Sequence, residues 1–250
     1  MVPHLSDRTM MVKIRRIILL FCCVAVPLVS MAQVGERRND FSVGFTGGYT
    51  MNKMDFQPTI KQAQKGSLMM GFSARYVCEK YFTTICAVQL DMQYNNLGWK
   101  EVIEDGSDNT YMRDLHFLEM PIVMQMGWGR ERRGLKFIFE AGPQVGLYLS
   151  GKEHMGGTGA WDTSRRPNGV VYQYGKDPDN KIDYGITAGL GMEFSSPIGH
   201  ILLHGRYYYG LGDIYDNSKR GKFGRSANQT IYIRLTYLFD LIRTKGDHIK

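Results

Sequence analysis

The chain has 250 residues and a formal net charge of +7, a length that suits one domain of ordinary size. Its basic residues are scattered through turns and loops with no stacked aromatic residues beside them, which argues against nucleic-acid binding. We therefore expect no nucleic-acid partner.

The first 32 residues have the pattern of a secretory signal peptide. Three basic residues precede the apolar run Ile17–Val29, and a small-x-small cleavage site follows at 30–32. The run is too short for a spanning helix, which needs about 20 apolar residues. We predict removal of residues 1–32, so that the mature chain begins at Gln33. Losing four basic residues and one acidic residue lowers the net charge from +7 to +4.

Beyond Gln33 the sequence divides into segments of alternating apolar and polar residues, separated by turn-forming residues. None of them shows helical periodicity over three turns, so the sequence predicts an all-β fold. The eight predicted strands are Phe41–Met51, Leu68–Val77, Phe82–Tyr94, Leu115–Trp128, Leu135–Gly151, Tyr184–Ser195, His200–Leu211 and Asn228–Phe239.

The links between these strands alternate between short and long. "CEKY", "GRERRG" and "SPIG" are tight, whereas the other links are long and polar. This pattern predicts an eight-stranded antiparallel up-and-down transmembrane β-barrel with short periplasmic turns and long extracellular loops. The barrel domain is predicted over residues 33–239, followed by a short periplasmic tail at 240–250.

The two faces of the predicted strands differ in polarity. One face is almost entirely apolar, which suits contact with lipid, and the other carries charges, amides and glycines, which suits the lumen. An eight-stranded barrel is just wide enough to be filled by side chains, so we expect these polar groups to pair and to leave no open channel. The predicted lumen network comprises Arg75, Asp91, Glu119, Glu140, Gln144, Glu193, His204, Arg206 and Arg234.

The tight turns also predict a register for two hairpins. Across "GRERRG" we expect Trp128 to face Leu135, which sets Glu119 opposite Gln144. Across "SPIG" we expect glycines to lie opposite the long side chains of the next strand, with Gly189 beside Arg206 and Gly191 beside His204. Pro121 cannot donate a ladder hydrogen bond, so a bulge or a gap is expected near it.

Cys78 and Cys86 are the cysteines that remain in the mature chain. Their spacing fits neither a zinc site nor a redox pair. A disulfide across a hairpin and two free thiols are both compatible with the sequence.

Two motifs carry a resemblance to a known family. The segment "HFLEMPIVMQMGW" contains Leu118–Pro121, and "LLHGRYYYGLGDI" contains Arg206–Leu211. These resemble the "YLEIPL"-type and late "RYxxGL" strands of the PorT-like outer-membrane β-barrel family of Bacteroidetes. The resemblance implies a barrel in a Gram-negative outer membrane. The namesake of that family assists a dedicated secretion system.

The resemblance also implies partners. They are outer-membrane lipids and lipopolysaccharide, the barrel assembly machinery during biogenesis, and a secretion-system or surface-protein partner. Such barrels often end on an aromatic residue that the assembly machinery reads, whereas here Phe239 is followed by "DLIRTKGDHIK".

The sequence lacks a catalytic constellation. "GLGMEF" lacks the third glycine and the helix of a dinucleotide site, and no serine elbow or metal-ligand pair accompanies the histidines of the mature chain. We expect no enzyme activity, no cofactor and no metal. Two alternatives remain, a lipid-modifying outer-membrane enzyme and a soluble lipocalin-like carrier with its apolar face inward.

One loop is strongly basic. "DNSKRGKFGRSANQ" carries Lys219, Arg220, Lys222 and Arg225 against one acidic residue. These side chains are candidates for contacts with lipid A phosphates or other anions, because arginine forms bidentate hydrogen bonds with such groups. A solvated loop is the alternative. The sequence thus favours a small non-enzymatic scaffold or surface-interaction module.

Overall fold

The computed structural model describes residues 36–158, 161, 163, 166, 170–217 and 221–244. The predicted signal peptide, Gln33 and residues 245–250 lie outside this part, so the cleavage site and the tail stay predictions. Within the described residues there is no helix long and apolar enough to cross a membrane. The strands are β1 (Glu36–Gln57), β2 (Gln62–Ala63), β3 (Lys65–Tyr81), β4 (Thr84–Glu101), β5 (Thr110–Gly129), β6 (Gly134–Gly156), β7 (Ile182–Ser196), β8 (Gly199–Gly210) and β9 (Arg225–Ile242).

Eight of these strands form a closed antiparallel ring. Its order is β4-β3-β1-β9-β8-β7-β6-β5, and β5 pairs with β4 to complete it. The two-residue β2 pairs with the last residues of β4, beyond the end of β3. The ring confirms the predicted all-β up-and-down barrel. The start of β1 and the end of β9 lie at the end of the barrel that carries the tight turns, here called the turn end, and the opposite end is called the loop end.

The strands extend further towards the loop end than predicted. β4 continues past Tyr94 to Glu101, and the inward-facing Leu97 and Trp99 of this extension are completely buried. From Val88 to Tyr94 the apolar residues of β4 occupy even positions and face outward, whereas above Tyr94 they occupy odd positions and face inward. Because the apolar residues change from even to odd positions, a single continuous alternation does not predict this extension.

The turn predicted at Cys78–Tyr81 is wrong. β3 runs on to Tyr81, which pairs with Thr84, and the turn consists of Phe82 and Thr83. Phe82 has a φ of 52°. Such a backbone conformation is uncommon for residues other than glycine, asparagine and aspartate, so no turn could be predicted from the residue types at this position.

The two cysteines of the barrel flank this hairpin as free thiols. Cys78 is the extra residue of a β-bulge between Val77 and Glu79, and its Sγ donates to the Cys86 carbonyl oxygen at 3.3 Å. Of the two arrangements that the sequence left open, the structure therefore has the free thiols.

The register across the β5–β6 turn differs from the prediction by two residues. Trp128 pairs with Phe137 rather than Leu135, and Glu119 pairs with Gly146. The apex of the turn lies one residue further along the chain than predicted, because Gly129 still pairs with Lys136 in the ladder. Gly129 has a φ of 140°. A shift of two residues preserves the faces, so the side chains predicted to point inward still do.

The other register predictions are confirmed. Gly189 pairs with Arg206 and Gly191 with His204. The predicted gap in the β5–β6 ladder is present, since no pairs form between that of Pro121 with Gln144 and that of Met124 with Ala141. The β4–β5 ladder is also interrupted opposite Pro121, between the pairs of Leu90 and Gln93. Proline lacks the amide hydrogen that this ladder would use.

The barrel wall is apolar on its outer face. Leu68 is 76% exposed, Met124 63% and Phe137 63%, while the residues between them along each strand point into a polar interior. A soluble carrier of the lipocalin type would have the reverse arrangement, with the apolar face around a ligand. The side-chain directions are those of a barrel with hydrocarbon outside.

Candidate functional site

A chain of ion pairs crosses the middle of the barrel. Asp91 accepts hydrogen bonds from Arg206 at 2.7 Å and from Arg234 at 2.8 Å. Arg206 also donates to Glu140, which in addition lies 3.1 Å from His204 Nδ1 and accepts from Gln125 at 2.8 Å. All of these side chains are buried. Because buried charges are costly unless they are paired and hydrogen-bonded, this network explains how the lumen tolerates them.

A second cluster of charges lies nearer the turn end. Glu193 contacts Arg75 at 2.6 Å, Lys136 at 3.0 Å and His200 Nδ1 at 2.7 Å. Lys136 and His200 were not in the predicted network, although both occupy inward positions on their strands. The alternation of inward and outward positions along their strands could have identified both residues.

Glu119 lies in a different environment from the other interior acids. It accepts hydrogen bonds from Gln93 and Asn95 at 3.0 Å, from Gln144 at 2.9 Å and from the Tyr232 hydroxyl at 2.8 Å. None of the described side chains that contact it is an arginine. Four neutral donors therefore satisfy this buried carboxylate in place of a salt bridge.

The nine residues of the predicted lumen network all lie inside the ring. Each is at most 3% exposed, and each forms at least one side-chain hydrogen bond within the interior. Two cavities that Arg75 lines near the turn end are small, about 20 Å³ and about 10 Å³. Each has room for about one water molecule, which needs roughly 10–15 Å³.

One arrangement near the turn end has the composition of a catalytic triad. His200 Nδ1 lies 3.0 Å from Ser195 Oγ, and His200 Nε2 lies 3.0 Å from Asp240 Oδ1. However, Ser195 Oγ donates to Glu193, and His200 Nδ1 points at the same carboxylate. Since a carboxylate lies at each ring nitrogen, both nitrogens of His200 are engaged and neither is free to take the serine proton. Ser195 is also 1% exposed, so substrate has no access to it.

His204 is no better placed as a base. Its side chain is completely buried against Glu140 and the two central arginines. Within the part of the chain that the structure describes, no group of three or more histidine, cysteine or acidic side chains could hold a metal ion.

At the loop end an apolar cluster closes the barrel. The residues come from the upper ends of the strands and from the links at 157–181 and 211–224, and rings stack at close range, with Tyr215 and Phe223 centroids 5.2 Å apart. We call this group the loop-end cluster; it contains Met54, Phe56, Leu97, Trp99, Tyr111, Leu115, Phe117, Val170, Ile214, Tyr215 and Phe223.

Ion pairs hold the links over the loop-end cluster. Arg113 contacts Glu153 at 2.7 Å and Asp177 at 2.6 Å. Arg166 pairs with Asp105, and its guanidinium lies 4.5 Å from the centroid of the Trp161 ring. The pair of Arg113 with Asp177 ties the 157–181 link to β5, and the pair of Arg166 with Asp105 joins this link to the one between β4 and β5.

Tyr174 ties the 157–181 link to the end of β4. Its hydroxyl donates to the Glu101 carboxylate at 2.6 Å. Burial raises the pKa of Tyr174 above its ordinary value, and the hydrogen bond to Glu101 raises it further. The phenol therefore stays protonated and keeps its role as a donor.

The basic loop is described only in part, because Lys219 and Arg220 lie outside the described residues. Arg225 contacts Asp55 at 2.6 Å and donates to the Tyr209 hydroxyl at 2.8 Å. Lys222 Nζ lies 5.2 Å from the centroid of the Tyr172 ring. Arg225 is thus engaged within the protein, whereas Lys222 is partly exposed at the surface.

Comparisons with known proteins agree with this architecture. The model of a family described as "Outer membrane protein beta-barrel domain" matches residues 31–216. No curated protein matches the chain.

Three solved structures are similar in fold. Neisserial surface protein A is 11% identical with a TM-score of 0.44, and the match covers 80% of this chain and 97% of that one. Ail of Yersinia pestis, bound to the heparin analogue sucrose octasulfate, is 12% identical with a TM-score of 0.36, and the match covers 80% of this chain and 99% of that one. The outer membrane enzyme PagL is 12% identical with a TM-score of 0.38, and the match covers 78% of this chain and 97% of that one.

Proposed function

Because the chain belongs to the outer membrane protein β-barrel domain family, we propose that it is a non-enzymatic barrel whose extracellular end is a surface-interaction module. The protein is an outer-membrane β-barrel protein of a Gram-negative bacterium. The loop end is therefore extracellular and the turn end periplasmic, in keeping with the usual orientation of such barrels.

The observation that carries the proposal is the loop-end cluster. A channel would leave its extracellular mouth open, whereas here eleven buried, mostly aromatic and aliphatic residues fill it. Ion pairs such as those of Arg113 fix the overlying link. A folded, rigid platform on a filled barrel suits recognition of another molecule, because binding then costs little ordering of loops.

The contacts of the two interior histidines on β8 support a non-enzymatic role. Both ring nitrogens of His200 face carboxylates, and His204 is completely buried beside Glu140, so neither ring is available to a substrate. A lipid-modifying enzyme is the alternative, and the contact of Ser195 with His200 is the one that would favour it.

The finer role is that of a PorT-like protein. The motifs around Glu119 and Arg206 support this assignment, and it implies a secretion-system or surface-protein partner at the extracellular platform. Outer-membrane lipids and lipopolysaccharide surround the barrel in this proposal, and the barrel assembly machinery inserts it.

The test is a deletion strain of the source bacterium complemented with variants. We expect its surface and secreted proteomes to differ from wild type, and complementation with wild type or His204→Gln to restore them. Lys222→Glu should restore them less well, because it reverses a charge of the platform.

The same strains distinguish the enzyme alternative. Lipid A composition should be unchanged in the deletion strain and in strains carrying Ser195→Ala or His200→Gln. If the deletion alters lipid A and Ser195→Ala reproduces the change, the protein is an enzyme and the proposal is wrong.

A further inference from the structure

The lipid-facing wall formed by β1, β3 and β4 contains an apolar groove. Two adjoining hollows, about 470 Å³ and about 270 Å³, share Phe45, Phe72 and Met92 as walls. Ala74 contributes a small side chain to the lower hollow, and Tyr94 lies at the upper end. Binding sites for small molecules typically enclose roughly 300–1,000 Å³, so this groove is large enough for part of a lipid molecule.

A polar patch begins where the groove ends. Tyr94 and Leu118, which both line the upper hollow, are register partners on β4 and β5. The Tyr94 hydroxyl lies 2.7 Å from His116 Nδ1, and the two rings are stacked with an interplanar angle of 10°. Above His116 the outward positions of β4, β5 and β6 carry lysines, an aspartate and a second histidine.

We call this group the outer patch; it consists of Tyr94, Lys100, Asp114, His116, Lys152 and His154, with Lys65 reaching over from β3. Asp114 is its one carboxylate, and it is occupied by Lys65 at 2.9 Å and by His154 Nε2 at 2.9 Å.

Three donors of the outer patch have no partner among the described residues. Lys100 and Lys152 are exposed and form no ion pair there, although Lys152 is the register partner of Asp114 on β6. The Tyr94 hydroxyl engages His116 Nδ1, so Nε2 is the ring nitrogen of His116 that has no partner among the described residues. These groups form a cationic, hydrogen-donating surface at the level where the apolar wall ends.

We propose that the groove and the outer patch together bind one phosphorylated, acylated glycolipid of the outer leaflet, that is, lipid A. An acyl chain lies in the groove between Phe45 and Met92, and a phosphate group lies against Lys100, Lys152 and His116 Nε2. This site is separate from the surface-interaction module and does not depend on that role.

Two features of the wall favour this occupant. The groove opens into hydrocarbon, so whatever fills it comes from the membrane. The outer patch has three lysines and one carboxylate, a charge balance that attracts a phosphate, since charge-assisted hydrogen bonds to phosphate are the stronger ones. A zwitterionic phospholipid or the wall of a second barrel could fill the groove but would not match both the groove and the patch.

The experiment measures lipid binding to the refolded full-length barrel in detergent by native mass spectrometry. Lipid A, lipid A without its phosphates and phosphatidylethanolamine are titrated separately. We expect lipid A to bind at least about tenfold more tightly than the other two, which corresponds to about 1.4 kcal/mol.

Two variants test the two halves of the site. The double substitution Lys100→Gln/Lys152→Gln should weaken lipid A binding about tenfold and leave phosphatidylethanolamine unchanged. Ala74→Phe fills the lower hollow and should weaken lipid A with and without phosphates alike. The control Arg130→Gln/Arg133→Gln removes the same charge from exposed residues of the periplasmic turn and should have no effect.

All of these substitutions lie on outward-facing or exposed positions, and the shift in gel mobility on heating verifies that each variant is folded. Equal affinity for the three lipids, or equal lipid A affinity in the lysine variant and its arginine control, would overturn the proposal. So would a mass corresponding to two barrels in place of a lipid adduct.

Discussion

The membrane-embedded part of the barrel and its extracellular end are built by the same strands with opposite polarity. In the middle of β4, Asp91 points inward and is buried while Met92 faces lipid. Higher on the same strand, Trp99 points inward and is buried while Lys100 faces out and is exposed. The inner face of β5 changes in the same way, from the polar Glu119 to the apolar Phe117 one inward position higher.

The difference shows that the medium outside the wall decides what lies inside it. Against hydrocarbon the apolar side chains face out, and the polar ones must satisfy each other within the ring. Against water the apolar side chains turn inward and form an ordinary core. The inversion therefore marks the outer surface of the membrane on β4 and β5. Substitutions at different heights of the barrel test this comparison.

The largest effect is expected from breaking the central ion network. Asp91→Leu leaves Arg206 and Arg234 without their shared carboxylate in a buried site, so we expect a loss of about 3–5 kcal/mol of unfolding free energy. Asp55→Leu removes an acid that pairs with Arg225 at the extracellular rim, and the expected loss of unfolding free energy is about 0–1 kcal/mol. Urea unfolding in lipid vesicles measures both, and equal losses would contradict the comparison.

The next test places an arginine on the outer face at two heights of β5. Met124→Arg puts the charge against hydrocarbon and should cost about 2–4 kcal/mol. Met112→Arg makes the same change above the inversion, beside Lys100 and His154, and should stay within about 0.5 kcal/mol of wild type. Should Met112→Arg be as destabilising as Met124→Arg, the boundary lies higher than we place it.

A third substitution addresses the loop-end cluster. Trp99→Ala creates a cavity in this core and should remove about 3–5 kcal/mol of local packing. We expect limited proteolysis of the 157–181 link to accelerate while the urea midpoint of the barrel changes much less. Trp128→Ala, at an exposed position near the turn end, is the matched control and should leave the proteolysis pattern unchanged.

The smallest predicted effect is a loss of stability of the periplasmic turn, residues 130–133, in acid. Burial alone would raise the pKa of Glu131, but the hydrogen bonds and charges of Arg38 and Lys80 hold it below its ordinary value of 4.5. A lowered pKa in the folded state means that these contacts stabilise the turn fully above about pH 4.5 and are lost as the pH falls through the lower folded value.

After correction for the intrinsic pH dependence of amide exchange, we expect the protection factors of residues 130–133 to fall in acid, with an effect of about 1 kcal/mol or less. Glu131→Gln should show the same lowered protection factors at neutral pH and little further change in acid. Protection factors that do not change with pH in wild type would argue against this role of Glu131.

Much of the fold could be predicted because the alternation keeps a single phase within the membrane. The inward position of Glu119 followed from parity alone, and an error of two residues in the register left it intact. Its partners could not be predicted, because choosing between Gln93, Asn95 and an arginine requires the register of several strands at once. The extension of β4 to Trp99 was not predicted for the opposite reason. Its apolar residues occupy odd positions, whereas those in the membrane part of the strand occupy even positions.

The ladder between β1 and β9 joins the two ends of the domain, from Phe41 with Ile242 to Gln57 with Arg225. Contacts of such long sequence separation form slowly, and until they form both strands present open edges that can pair with other chains. The whole chain must therefore be exported before the ring can close, and the two edge strands need protection in the periplasm. A circular permutant that opens the chain at 130–133 and links the present termini would turn this seam into a hairpin and make β5 and β6 the last strands to meet.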